Sequence, residues 1–405
     1  MEEEEDFLRV LRALRDAARR VEAAAGGDDG PALHALLALD ASADDLLAGD
    51  PDLGTLRRLL ARIGALSWSI RFAGDGGGGG GVVGCLRGRW RRCEARRGIA
   101  RAAGGVAGEI QAWIDRENVA RLVAALRSSG GDDAARARLA ELEARLGRFD
   151  PRLQRALLRH GVFAAVEAKL GDPGVGDGCA AAVLALVRFN KDVFVGPVLM
   201  GRAVGALVAS ASASPEPLRA LNGLVAAIRS PLVDELHARG ELPRLVSLLC
   251  SADPRIRALA LEFALRVGYY ARKEIVDALL AEGLVKRLLC LQRSDSETFD
   301  SYFSPQEKPD HGIIRGVIFF AGILGCQRED DDADDGGGGG AATSSARPFV
   351  SAVARFAVQV EVGEGLSQRE KRAAKLEILR RVREAAVSPA EEATVLADVL
   401  WGATP

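Results

Sequence analysis

Four glycines in the middle of the chain recur at nearly equal intervals with apolar residues on both sides: "LLRHGVFAAVEAKL" around Gly161, "VLMGRAVGALVASA" around Gly201, "LHARGELPRLVSLL" around Gly240 and "LLAEGLVKRLLCLQ" around Gly283. The intervals are 40, 39 and 43 residues. Glycine ends a helix by taking left-handed turn geometry without steric penalty, so each of the four is a hinge between two helices. A unit of this length buries its apolar face only against its neighbours. The period therefore predicts a solenoid of about four stacked helical repeats.

The unit around Gly240 shows the internal pattern. Gly240 ends a short first helix, Pro243 begins a second, and Asp253-Pro254 starts a third. Asp offers a side-chain acceptor to the first-turn amides, and Pro loses nothing where its N–H would be unpaired. Ser367 with Glu370, and Ser388 with Glu391, fit capping boxes that start the last two helices. Nearer the N-terminus, Leu8, Leu11, Leu14, Ala18 and Val21 share one helical face. Further helices are predicted over 31–47, 51–72, 82–102, 107–127 and 134–146, broken by glycines at 26–27, 74–81, 104–105 and 130–131. The expected fold is all-α. An N-terminal helical bundle (1–147) precedes the repeats (148–293), then a divergent segment with a flexible acidic, Gly-rich loop (294–347) and C-terminal solenoid helices acting as a cap (348–405).

The glycine-hinged three-helix period resembles the armadillo repeat. The phrases "RFNKDVFVGPVLMG" (188–201), "IRSPLVDELHARGELPRLVSLL" (228–249), "FVSAVARFAVQVEVGEGLSQREKRAAKLEILRRVREA" (349–385) and the ending "VLADVLWGATP" are similar to a plant armadillo-superfamily group related to U-box ubiquitin ligases but lacking a U-box. The resemblance covers most of residues 107–405, apart from about 294–347. It implies an armadillo-like α-solenoid that acts as a non-catalytic scaffold or adaptor, binding a protein partner along a groove of third helices. A substrate-adaptor role in a ubiquitin-ligase complex is the alternative it suggests, with ligase activity coming from a partner. Importin-alpha and beta-catenin types hold a peptide backbone with a ladder of asparagines. Here the late third-helix positions carry Arg188, Ala226 and Arg266 or Val267, Asn190 falls in a linker, and Asn222 lies a turn early, so recognition of that kind is not expected.

Helical periodicity sketches the groove. Ile256, Leu259, Ala260, Phe263 and Val267 form one face of a third helix, leaving Arg255, Glu262 and Arg266 on another. Arg188, Arg219 and Asn222 are the corresponding candidates in the two preceding repeats, beside the small residues Ala181 and Ala226. A modestly basic groove with a floor of small residues would suit an acidic or amphipathic segment.

A second candidate surface is "RGRWRRCEARRGIAR" (87–101), where Arg87, Arg89, Arg91, Arg92, Arg96 and Arg97 surround Trp90. Arginines that neutralise phosphates beside a ring that stacks a base are what a single-strand binder needs. The formal net charge of −2 gives no global field for nucleic acid, and carboxylates of neighbouring bundle helices are expected to pair with these arginines or leave them solvated. Basic residues are 47 Arg against 7 Lys, so arginine excess alone points to no function.

Catalytic and metal-binding groups are not legible. The six cysteines are scattered without a CxxC pair and read as reduced core thiols, which together with the acidic start "MEEEED" places the chain in the cytoplasm or nucleus. His160 and His237 read as cations at helix C-termini. "GEG" at 363–365 lacks the remainder of a phosphate-loop motif and reads as a hinge. No cofactor is expected. The apolar stretch 316–326 is about half the length of a membrane span and is expected to be a buried helix. Ser304-Pro305 lies in a polar stretch whose composition suits phosphorylation.

Overall fold

The computed structural model describes residues 2–24, 31, 33–38, 54–72, 82–128, 132–303 and 348–401, with backbone alone at 2–6, 71–72, 82–88 and 295–303. The sequence expectations for 304–347, including the apolar stretch, the acidic loop and Ser304, lie outside the described residues, as do the glycine runs at 26–27, 74–81 and 130–131. The described residues are helical, without strands. The chain divides into two compact units: Met1–Ser129 with Asp150–Val162, and Gly130–Phe149 with Phe163–Pro405.

In the first unit, α1 (Glu2–Ala23) and α2 (Gly54–Phe72) both pack on α3 (Val82–Arg127). The predicted face of α1 is the buried one, with Leu11, Leu14, Ala18 and Val21 almost fully enclosed together with Leu56, Leu60 and Ile63 of α2 and Ala103, Val106 and Ile110 of α3. The break predicted at Gly104-Gly105 is absent: α3 is one helix of 46 residues, about 69 Å long at 1.5 Å per residue. These glycines serve close approach. A Cβ at Gly104 would stand 2.5 Å from Glu22 Oε1 of α1, and one at Gly105 would stand 3.2 Å from Leu59 Cδ1 of α2. Two neighbours press on adjacent positions of one helix, and that packing outweighs the roughly 1 kcal/mol each glycine costs a helix interior. Helix α5 (Pro151–His160) completes this unit against α3. Its first turn is capped by Asp150, which accepts from the Arg152 amide at 2.8 Å.

The second unit begins with α4 (Asp132–Leu146), α6 (Val162–Ala168, counted from Phe163) and α7 (Gly176–Phe189). Three triplets follow: α8 (Lys191–Met200), α9 (Ala203–Ser210) and α10 (Pro215–Ile228); α11 (Ser230–Ala238), α12 (Leu242–Ser247, extended by a 3-10 turn) and α13 (Pro254–Tyr270); then α14 (Lys273–Ala281), α15 (Leu284–Phe303) and α16 (Ala352–Val362). Helices α17 (Gln368–Ala385) and α18 (Pro389–Trp401) close the unit. Every third helix packs on the next, in the succession α4, α7, α10, α13, α16. This is an armadillo-like α-solenoid, and α16 is the third helix of its triplet although 304–347 stands before it in the chain. Ser367 and Glu370 form the expected capping box on α17.

The hinge glycines divide into two kinds. Gly161, Gly240 and Gly283 have φ of 63°, 69° and 79°, the left-handed geometry the repeat pattern predicts. Gly201 does not, its backbone being extended at φ −87°. What excludes a side chain there is crowding: an added Cβ would collide with Glu167 Oε1 and lie 2.5 Å from the Pro197 carbonyl oxygen. The Glu167 carboxylate sits there because it accepts from the Arg202 amide at 2.7 Å and the Ala203 amide at 2.9 Å, capping α9, whose own N-cap residue offers no side-chain acceptor.

Bonds of this kind recur one repeat apart. The Arg239 guanidinium donates to the carbonyls of Leu199 and Gly201 at the end of α8, the latter at 3.0 Å. Ser230 Oγ donates to Tyr270 O at 3.1 Å, and Arg272 pairs with Asp234 at 2.8 Å. Partner separations close to the repeat length mean that side chains of one repeat satisfy helix ends of the next, where unmet backbone groups would otherwise face solvent or a void.

Candidate protein-binding surface

The third helices are buried on the sides that meet their neighbours, and each keeps a narrow open stripe. On α7 it is Ala181, Leu184, Ala185 and Arg188; on α10, Arg219, Ala226 and Ala227; on α13, Ala258, Glu262, Leu265 and Arg266. Spacings of three, four and seven residues, with one adjacent pair on each helix, are those of one helix face. Leu184 lies over Gly223 of α10, so the α7 stripe borders the α10 helix directly. Ile256, Leu259, Ala260, Phe263 and Val267 are buried, as periodicity predicted.

The charge of this surface differs from expectation. Arg219 pairs with Glu216, Arg255 with Asp253 at 2.9 Å, and Arg266 with Glu262 at 2.7 Å. Each partner lies two to four residues away on the same segment, so the stripe is close to neutral rather than modestly basic. Asp253 also caps α13 by accepting from the Arg255 amide at 2.8 Å, and its carboxyl is held below the usual range chiefly by the Arg255 side chain and by that amide. Arg188 is exposed and makes no hydrogen bond or ion pair among the described residues. The pairing signal was present in the sequence as carboxylates at i−3 and i−4.

Asn222 is not part of the open stripe. It is 3% exposed, and its Nδ2 donates to Leu259 O of α13 at 3.0 Å while Oδ1 has no partner. The residue thereby joins two third helices, α10 and α13. Arg188, Arg219, Arg255, Glu262 and Arg266 thus share third-helix faces, and Asn222 lies between them in the core. Asn190 is the N-cap of α8, its Oδ1 accepting from the Asp192 amide at 3.0 Å.

The arginine segment of α3 is solvated. Arg89, Trp90, Arg91, Arg92, Arg96 and Arg97 are exposed, Trp90 by 66%, and none of these arginine side chains has a carboxylate partner among the described residues. The intramolecular pairing expected from the bundle is therefore absent there. Arg87 lies in the same helix where only backbone is described. The cysteines also depart from expectation: Cys179 is buried, but Cys93, Cys250 and Cys290 are exposed. Burial pushes the Cys179 thiol up to about 12, with the Asp172 carboxylate adding to the shift. His160 and His237 occupy the last turns of α5 and α11. Among the described residues no group of three metal-ligating side chains occurs, and no single helix is long and apolar enough to cross a membrane.

No family model matches the chain. No curated protein matches it either. Solved structures do: a designed armadillo repeat protein is 15% identical with a TM-score of 0.42, covering 69% of this chain and 99% of its own. A designed armadillo repeat protein in complex with the peptide (KR)4 is 14% identical with a TM-score of 0.42, covering 71% of this chain and 99% of its own. An engineered protein from the Northeast Structural Genomics Consortium is 16% identical with a TM-score of 0.45, covering 98% of this chain and 88% of its own. At these scores the likeness carries no weight, and the solenoid rests on the helix succession described above.

Proposed function

We propose that this protein is a non-catalytic scaffold that binds an extended segment of a protein partner along the third-helix stripe. One observation carries the reading: successive third helices α7, α10 and α13 stand side by side, with the small residues Ala181, Ala185 and Ala226 half-buried along their open faces. Small floor residues let a peptide backbone approach, and a surface held by repeat packing has little ordering left to lose on binding. The near-neutral stripe favours an amphipathic segment over a strongly acidic one. An adaptor role in a ubiquitin-ligase complex and residence in cytoplasm or nucleus accord with this reading. Selection of extended peptides on the purified chain tests it, beside Ala185→Glu with Ala226→Glu. Binders that are lost with the paired substitution support the stripe, whereas binders indifferent to it place the working surface elsewhere.

A second reading has its own observation. The exposed, carboxylate-free arginines 89, 91, 92, 96 and 97 beside Trp90 fit a single-stranded nucleic acid. Five neutralised phosphates would give a slope of log K against log salt of roughly −3.5. A slope near zero in a binding titration removes this reading.

A further inference from the structure

Between α3 and α5 of the first unit lies a cavity of about 460 Å³ whose walls are two facing helical stripes. Helix α5 contributes Arg152, Arg155 and Arg159, and α3 contributes Glu109, Trp113 and Arg116. Both sets step by three or four residues, so each lies on one face of its helix. Ala112 and Ala156 line it as well, and such short side chains leave room between the longer ones. Four guanidinium groups line the cavity, and its one carboxylate, that of Glu109, pairs with Arg152 at 3.0 Å. Arg155 and Arg159 are exposed and have no hydrogen bond or ion pair among the described residues.

Folding alone does not account for this arrangement. Like charges at i+3 and i+4 on one helix repel. Arg159 in the last turn of α5 suits the helix dipole and Arg152 in the first turn is held by Glu109, but Arg155 stands between them with neither compensation. We propose that the cavity binds a small soluble polyanion carrying several phosphate groups. Guanidinium forks match phosphate oxygens in bidentate fashion, and the uncompensated charges of Arg155 and Arg159 beside Arg152 call for a ligand with more than one negative charge in a compact frame. The volume lies within the range of small-ligand sites, and a site walled by two helices takes a compact ligand rather than the extended track of a nucleic-acid strand. Trp113, packed edge-on to Phe7 at 5.3 Å, supplies a rigid apolar wall.

The test uses inorganic tripolyphosphate and the full chain in a calorimetric titration. The variants are Arg155→Gln with Arg159→Gln, and Arg12→Gln with Arg62→Gln as a control of equal charge at exposed positions outside the cavity; circular dichroism checks that both fold. Saturable one-to-one binding, weakened about tenfold or more in the cavity variant and unchanged in the control, is expected. Tryptophan fluorescence should respond to the ligand in the control and not in Trp113→Phe. Equal loss in both variants would show a diffuse charge effect and overturn the proposal. So would binding to vesicles containing a phosphorylated inositol lipid with none to tripolyphosphate, or to a phosphoserine peptide alone.

Discussion

Glu167 and Gly201 form a coupled device, and a double-mutant cycle measures it. Removing the carboxylate in Glu167→Ala leaves the Arg202 and Ala203 amides without their acceptor. Loss of an N-cap costs about 1 kcal/mol and loss of an anion at a helix start about 0.3–1 kcal/mol, so the substitution should cost about 2 kcal/mol. Gly201→Ala incurs no backbone strain at φ −87°, but its new methyl displaces the same carboxylate and presses on Pro197 O. The cost is the same 2 kcal/mol or so plus about 1 kcal/mol of overpacking. Once the carboxylate is gone, only the overpacking remains to be added. The double variant should therefore fall about 2 kcal/mol short of the additive sum, well beyond the few tenths expected of independent sites. Hydrogen exchange of the Arg202 and Ala203 amides reads this locally, with each single variant exchanging about 30-fold faster or more. Additive effects, or a Gly201→Ala protein exchanging at the parent rate, would refute the reasoning.

Three further outcomes follow from packing and charge. Gly268→Ala places a Cβ 2.8 Å from Phe356 Cε2, so thermal unfolding should show destabilisation of about 1–3 kcal/mol despite the helix-propensity gain, partly restored by Phe356→Leu; an unchanged midpoint would mean that α13 and α16 are not packed there. Alkylation by iodoacetamide at neutral pH, mapped by mass spectrometry, should label Cys93, Cys250 and Cys290 and reach Cys179 only after denaturation; labelling of Cys179 at the rate of Cys93 contradicts its burial. The Arg380 and then the Arg381 side chains hold the Glu377 carboxyl down at about 2. A depressed carboxylate contributes stability above the ordinary glutamate value of 4.5 and loses it as pH falls toward 2. An NMR titration should place its midpoint well below 4.5, moving back up in Arg380→Gln with Arg381→Gln; a midpoint identical in both proteins rules out the pairing.

Much of the repeat architecture was legible because it is written in local signals. The buried faces of α1 and α13 follow from period alone, and the starts of α5 and α13 follow from an Asp-Pro step. Glycine was the ambiguous letter. The same residue ends a helix at Gly240, admits a neighbouring carboxylate at Gly201, and lets α1 and α2 press on α3 at Gly104 and Gly105; only tertiary context separates these uses. Asn222 was misplaced for the same reason, since its burial depends on α13, a helix one repeat away. The position of α16 as a third helix was hidden by the chain inserted before it. Of the cavity, the arginine stripe on α5 was readable, but the facing stripe on α3 was not, because nothing in the sequence aligns residue 113 with residue 156.

The bonds that run from one repeat to the next also set an order of completion during synthesis. Glu167 is already made when the first amides of α9 emerge, so that helix start is met at once. The end of α8 waits for Arg239, and the carbonyl of Leu199 has no such donor until 40 residues later. At ribosomal rates of about 5–20 residues per second, that interval lasts a few seconds. Each newly made repeat is thus finished on its leading side and raw on its trailing side. Among the third helices the longest wait falls on α13, whose neighbour α16 emerges only after the whole of 304–347. Until then the side of α13 that receives Phe356 is bare, and a nascent chain stalled there would offer its apolar surface to chaperones or to another copy of itself.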